Sequence, residues 1–188
     1  MVILSMPESK QKLIQAIVDQ ELEFFQNMKT EEPVPENTLP ALRRMRWMTY
    51  SVLSEDTLSL LLRDLKKAKE DGRNTMIEKY ALIDGLIPDI QHNPIIRKIA
   101  LQETEWQEEI ARRYPKALQN HDANRSLFQH YMECEMQSWS PEMLLSYYSD
   151  ILAALEEGVN LAERRYDNLY ASLGKGSLKE VDDSISGI

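Results

Sequence analysis

Apolar residues recur at intervals of three and four along almost the whole chain, the spacing of amphipathic helices, and glycine occupies only six positions. Ser5, Met6, Pro7 and Glu8 have capping-box spacing with proline in the first turn, which predicts a helix from there to about residue 28. Residues 29–38 (KTEEPVPENT) hold two prolines and no periodicity and read as a loop. A second helix follows over 39–50, with Leu42, Met45 and either Met48 or Thr49 inward and Arg43, Arg44 and Arg46 around them. Ser54 caps a third, striped by Leu58, Leu61, Leu62, Leu65 and Ala68 and closed by Gly72. Asn74 starts a fourth with Met76, Ile77, Tyr80 and Ile83 inward, ending at 85–88.

Asn93-Pro94 restarts the chain as a fifth helix that runs to Tyr114, where Pro115 stops it. Residues 116–124 are a polar connector, and a sixth helix spans 125–138. Ser140, Pro141 and Glu142 open a seventh carrying Leu144, Tyr148, Ile151 or Leu152, and Leu155. Gly158 either breaks it or loosens it, and the pattern resumes at Val159, Ala162, Tyr166, Leu169 and Leu173. After Gly174-Lys175-Gly176, Ser177 with Glu180 has the spacing to cap a short last turn. The expected fold is all-α, a single compact bundle of about six to eight helices. One domain covers 1–174, followed by a flexible C-terminal tail over 175–188.

Three glutamates interrupt the apolar seams. The seams read Ile14, Val18, Glu21, Phe25, Met28; Ile96, Ile99, Glu103, Trp106, Ile110; and Phe128, Met132, Glu135, Trp139. A carboxylate facing a core costs several kcal/mol unless it is paired, hydrogen-bonded or protonated. Three of them on three helices imply either a buried polar network or a lined pocket.

Composition narrows the setting. At 188 residues, 43% hydrophobic and 28% charged, the chain has the profile of one globular domain. Its formal charge of -9 disfavours nucleic acid and anionic membrane surfaces as partners. No apolar run reaches the roughly 18 residues of a membrane span, and the first residues lack the basic and apolar regions of a signal peptide. A single cysteine, Cys134, excludes an internal disulfide and fits a reducing, cytoplasmic compartment.

Candidate chemistry centres on the seam glutamates. A carboxylate-bridged dimetal site needs Glu-x-x-His pairs, and the chain has none. His92 and His121 fall in connectors, and His130 points away from the Glu135 seam by period. No metal or other cofactor is therefore expected. Desolvation among Trp, Phe and Met raises a carboxyl pKa, which suits Glu21, Glu103 and Glu135 to acid–base catalysis or to binding a cationic amine. Tyr80, Trp106, Tyr131 and Trp139 then serve as aromatic walls, and Arg46, Arg73 and Lys79 as further ligand contacts. The contrary reading pairs each glutamate with Arg46, Arg73, Lys79 or a tyrosine hydroxyl in a purely structural network. Three carboxylates outnumber the cations that can be placed near them, so at least one is expected to titrate high. Arg73-Asn74 after Gly72 also puts a cation at a helix start, where an anion can sit. Cys134 borders the sixth-helix seam, has no sequence-adjacent base and reads as a small buried hydrophobe.

The chain resembles an uncharacterised microbial helical family, domain of unknown function 4125. The resemblance rests on ordered short blocks: Glu21 with Phe25; Met45-Arg46; Gly72-Arg73-Asn74 followed by Glu78-Lys79-Tyr80-Ala81; Trp106 with Tyr114-Pro115; and Tyr131 with Glu135, then Ser140. They span most of 14–145, and the family pattern includes Glu21 and Glu135. Two departures stand out. The family tends to a Gly-rich segment ending in Cys-Gln where this chain has 29–38, and to a glycine where it has Cys134. The resemblance implies a helical fold and no particular activity.

Two functions follow as expectations. In the first, a cytosolic enzyme or binding protein acts on a small organic molecule with a basic nitrogen, by metal-independent acid–base chemistry at the glutamates. In the second, a structural or protein-interaction module uses them only to fix helix register. A ligand-sized cavity between the glutamates marks the first, and direct ion pairing without a void marks the second. The oligomeric state, a homodimer included, is open.

Overall fold

The computed structural model describes residues 6–29, 34–118 and 125–185. Among them are nine helices and no strand: α1 Glu8–Gln26, α2 Thr38–Tyr50, α3 Glu55–Glu70, α4 Thr75–Ile83, α5 Pro94–Arg113, α6 Arg125–Met136, α7 Pro141–Glu156, α8 Leu161–Ser172 and α9 Leu178–Ser184. The all-α expectation holds. Two details raise the number of elements. Gly158, at φ 68°, ends α7 in the left-handed conformation that glycine adopts without a Cβ clash. Asn160 then caps α8, its side chain accepting from Glu163 N.

Capping chemistry explains most of the other starts. The side chains of Ser54, Asn74, Asn93 and Ser140 each accept from a backbone N–H in the first turn of α3, α4, α5 and α7. Asn74 also donates to Phe24 O at 2.8 Å, tying the start of α4 to the end of α1. Helix α1 begins without a side-chain cap, Pro7 occupying the cap position. The expected capping residue Ser5, residues 30–33 of the expected loop, and residues 119–124 of the 116–124 connector, His121 among them, lie outside the described residues.

The core runs between α1 and α3 on one side and α5, α7 and α8 on the other, with α2 and α6 closing it. Several inward faces differ from those the spacing predicts. On α2 the buried residues are Arg46 and Tyr50, while Met45 is 56% exposed. On α4 Met76 and Leu82 are buried, and Ile77 and Tyr80 face outward. On α7 the stripe is Met143, Leu144, Tyr147, Ile151 and Ala154, leaving Leu152 and Leu155 exposed. Phe24 rather than Phe25 is buried on α1. Each of these helices has apolar residues at adjacent positions, so period alone leaves its rotation one residue uncertain.

Within the segment 175–188, expected as a flexible tail, Leu178–Ser184 is helical, and 186–188 lie outside the described residues. Leu178 is fully buried, and Ser177 with Glu180 completes a reciprocal capping box. Asp182 accepts from Lys116 N and Ala117 N at 2.8 Å each, which anchors α9 beside the end of α5.

Candidate functional site: two carboxylate clusters

The seam glutamates divide between two clusters. In the first, Arg46 is 7% exposed and sits between α1 and α6 because it occupies the inward face of α2. Its guanidinium grips Glu21 in a two-pronged arrangement, Nε to Oε2 at 2.8 Å and Nη2 to Oε1 at 2.7 Å. The same Nη2 donates to Tyr50 Oη and to Glu135 Oε1. Tyr50 donates onward to Glu21 Oε1 at 2.5 Å. Lys79, from α4, reaches the other oxygen of Glu135 at 3.0 Å. Two carboxylates thus meet two cations, and the planar guanidinium suits such multiple engagement better than an ammonium.

In the second cluster Glu103, 1% exposed on α5, is held by Arg165 of α8. Nη1 reaches Oε2 at 2.5 Å and Nη2 reaches Oε1 at 2.6 Å. Tyr147 of α7 donates to Glu103 Oε1 and accepts from Arg165 Nη2 at 3.0 Å. Arg165 Nε also donates to Thr49 O at 3.3 Å, so the backbone of α2 joins this cluster too.

Electrostatics follow from these contacts. Burial alone pushes the Glu135 carboxyl up, but Arg46 and Lys79 overcome it and hold Glu135 below the usual carboxylate range. Burial opposes the charge on Arg46, yet Glu135 and Glu21 lift its pKa well above the ordinary value. Arg165 is raised in the same way against burial by Glu103. Burial and the nearby carboxylates raise both Tyr50 and Tyr147, so both hydroxyls stay protonated donors. The expectation that cations are too few is corrected by Arg165. With it the three glutamates face three cations, and Glu135 moves opposite to the high-titrating carboxyl expected.

Between the clusters lies a cavity of about 20 Å³, lined by Thr49, Tyr50, Glu135, Trp139 and Tyr147 among others. That is room for about one water molecule. No buried side-chain nitrogen or oxygen among the described residues lacks a partner.

The expected site residues are only partly brought together. Glu21, Arg46, Lys79 and Glu135 converge, whereas Glu103 stands apart with its own arginine. Trp139 borders the small cavity, its ring centroid 5.9 Å from that of Tyr147. Trp106 is buried on α5, and its carbonyl receives Asn160 Nδ2 at 3.2 Å. Tyr80 and Tyr131 are each 38% exposed, and Lys79 Nζ lies 5.9 Å from the Tyr80 ring. Arg73 is an exposed residue bound two-pronged by Glu78 at 2.7 and 2.8 Å, which occupies the guanidinium expected to attract an anion. Tyr50, Tyr147 and Arg165 are participants that the seam glutamates do not point to. Arg165 carries a signal of its own, lying three and four residues from Ala162, Leu161 and Leu169.

Cys134 is buried, and burial together with Asp89 and Glu133 pushes its thiol up, away from a reactive thiolate. Among the described residues no three His, Cys, Asp or Glu side chains gather as a metal-binding group, and no helix is long and apolar enough to cross a membrane.

The family model described as "Protein of unknown function (DUF4125)" matches residues 11–183. The chain belongs to the DUF4125 family. No curated protein and no solved structure matches this DUF4125 member. The match spans both clusters, from Glu21 to Arg165, and all nine helices but the outermost residues of the first and last.

Proposed function

We propose that this DUF4125 protein is a non-catalytic helical module, and that its two carboxylate clusters set helix register rather than transform a substrate. The observation that carries the reading is the completeness of the pairing. Every carboxylate oxygen of Glu21, Glu103 and Glu135 already accepts from an Arg, Lys or Tyr of the protein. A general base needs a lone pair aimed at substrate, and an amine site needs an uncompensated negative charge. Here each carboxylate charge is already met by a cation of the protein, and that pairing holds Glu135 below the usual carboxylate range, which makes it a weak base. The 20 Å³ between the clusters has no room for an organic ligand, whose pockets span roughly 300–1,000 Å³. A cytoplasmic location fits the single buried thiol of Cys134, and the charge of -9 argues against nucleic acid as a partner.

Thermal-shift measurements with a panel of small alkyl and aryl amines test this reading. No amine should stabilise the wild type in a way that Glu135→Gln or Glu103→Gln removes, and both variants should melt below the wild type. An amine that stabilises the wild type but neither variant overturns the architectural reading and restores a ligand site at the glutamates.

A further inference from the structure

A separate cleft of about 430 Å³ opens where the start of α1, the α2–α3 turn, the last turns of α7 and the first turns of α8 meet. Its volume falls within the roughly 300–1,000 Å³ of small-molecule sites. Its floor is apolar, built on the buried residues Leu53, Ala154 and Leu161. Four charged groups line it: Lys10 of α1, Asp150 of α7, Glu157 just after α7, and Arg164 of α8.

These charges differ from those of the two clusters. Arg46 and Arg165 are saturated, whereas the side chains of Lys10 and Arg164 make no hydrogen bond or ion pair among the described residues, Asp167 acting on Arg164 only through space. Asp150 and Glu55 act on Lys10 only through space. Asp150 is half committed. Its Oδ2 accepts from Ser54 N at 3.0 Å and Ser54 Oγ at 3.1 Å, which fixes the carboxylate and leaves its second oxygen open. Glu157 is exposed and forms no ion pair among the described residues.

From this arrangement we propose that the cleft binds a small zwitterion with an apolar body, of the class of a neutral α-amino acid. The ligand carboxylate goes to Lys10 and Arg164, its ammonium to Asp150 and Glu157, and its side chain onto the Leu53–Ala154–Leu161 floor. A simple anion meets two carboxylates, and a simple cation meets two unpaired basic groups. Only a ligand carrying both charges is complementary to all four. Burial pulls the pKa of Lys10 down in spite of Asp150 and Glu55, and a ligand carboxylate placed beside it would oppose that shift. The proposal is independent of the role assigned to the buried glutamates, none of which lines this cleft.

The test is an NMR titration of the full chain with L-leucine, alongside 4-methylpentanoate and 3-methylbutylamine, which keep the apolar body and one charge each. Leucine is expected to shift the amide signals of Ser51, Ser54 and Asn168, and each single-charge analogue to bind at least about tenfold more weakly. Lys10→Met, Arg164→Met and Glu157→Gln should each weaken leucine by about tenfold with unchanged circular dichroism. Lys10, Arg164 and Glu157 are not core side chains, so these variants keep the fold. Three results would overturn the proposal: no shift at the cleft with leucine, methionine or phenylalanine; a single-charge analogue binding as tightly; or leucine binding indifferent to all three substitutions.

Discussion

Replacing Arg165 with methionine removes the cation of the second cluster while keeping its approximate length. Glu103 is 1% exposed, and it would lose both of its charged donors, keeping only Tyr147. Stranding a buried charge in this way costs about 3–5 kcal/mol. Loss of the bond from Arg165 Nε to Thr49 O adds about 1 kcal/mol. For a chain of this length each kcal/mol lowers Tm by roughly 2–4 °C, so a fall of roughly 10 °C or more is expected. Urea melts followed by circular dichroism measure the same change at fixed temperature. The diagnostic step is the combination Glu103→Leu, Arg165→Met and Tyr147→Phe, which removes every polar member of the cluster at once. It should recover about 2 kcal/mol or more relative to Arg165→Met alone, because no charge is left orphaned. If Arg165→Met lies within about 0.5 kcal/mol of the wild type, or the three substitutions simply add, the pairing does not hold the helices and the reasoning fails.

Three further outcomes are expected. Glu135 has a folded-state pKa below its unfolded value, so its contribution is present above the ordinary Glu value of 4.5 and is lost as pH falls through the folded value. The stability gap between wild type and Glu135→Gln in urea melts should therefore be widest at neutral pH and narrow below about pH 4; a gap that widens on acidification refutes the pairing with Arg46 and Lys79. On α2, Met45→Gln should stay within about 0.5 kcal/mol of the wild type, while Arg46→Met, one residue away, costs about 3–5 kcal/mol by the same melts. The reverse order would mean that α2 is rotated as its apolar period suggests. Leu178→Ala should cost about 2–5 kcal/mol and speed hydrogen exchange across Leu178–Ser184, whereas unchanged protection there would show that α9 does not depend on its buried leucine.

How far the sequence was legible varied with the kind of signal. Glu103 stands out because the α5 seam is otherwise uniformly apolar, and the structure buries every member of that seam from Ile96 to Ile110. The helix starts at Ser54, Asn74, Asn93 and Ser140 were legible for a similar reason, since a cap is a local interaction that distant packing rarely overrides. Helix rotation was less legible. Leu144, Leu145, Tyr147 and Tyr148 offer two inward faces that fit equally well, and only contact with α5 and α8 chooses Tyr147. Arg165 was hidden by its chemistry, because a long cationic side chain ordinarily reaches solvent even from an apolar stripe. Nothing in its spacing says that Glu103 waits across the core. The clustering of Lys79 with Glu135 lies beyond any periodicity, because the two are separated by 56 positions and meet only when α4 packs on α6.

Helix α2 is short, yet it serves both clusters: Arg46 and Tyr50 complete the first, and the carbonyl of Thr49 receives Arg165 of the second. The early half of the chain supplies Glu21 and Lys79, and the late half supplies Glu103, Glu135, Tyr147 and Arg165. Neither half can neutralise its interior alone. Cutting the chain in the exposed stretch 84–93 would leave Arg46 without Glu135 on one fragment and Glu135 without either cation on the other. The protein is therefore indivisible in an assembly sense. Its folding must bring α6 back to α2 before the first charge cluster closes, and a ribosome that has released only the first half holds a chain whose central arginine is still waiting for one of its two carboxylates.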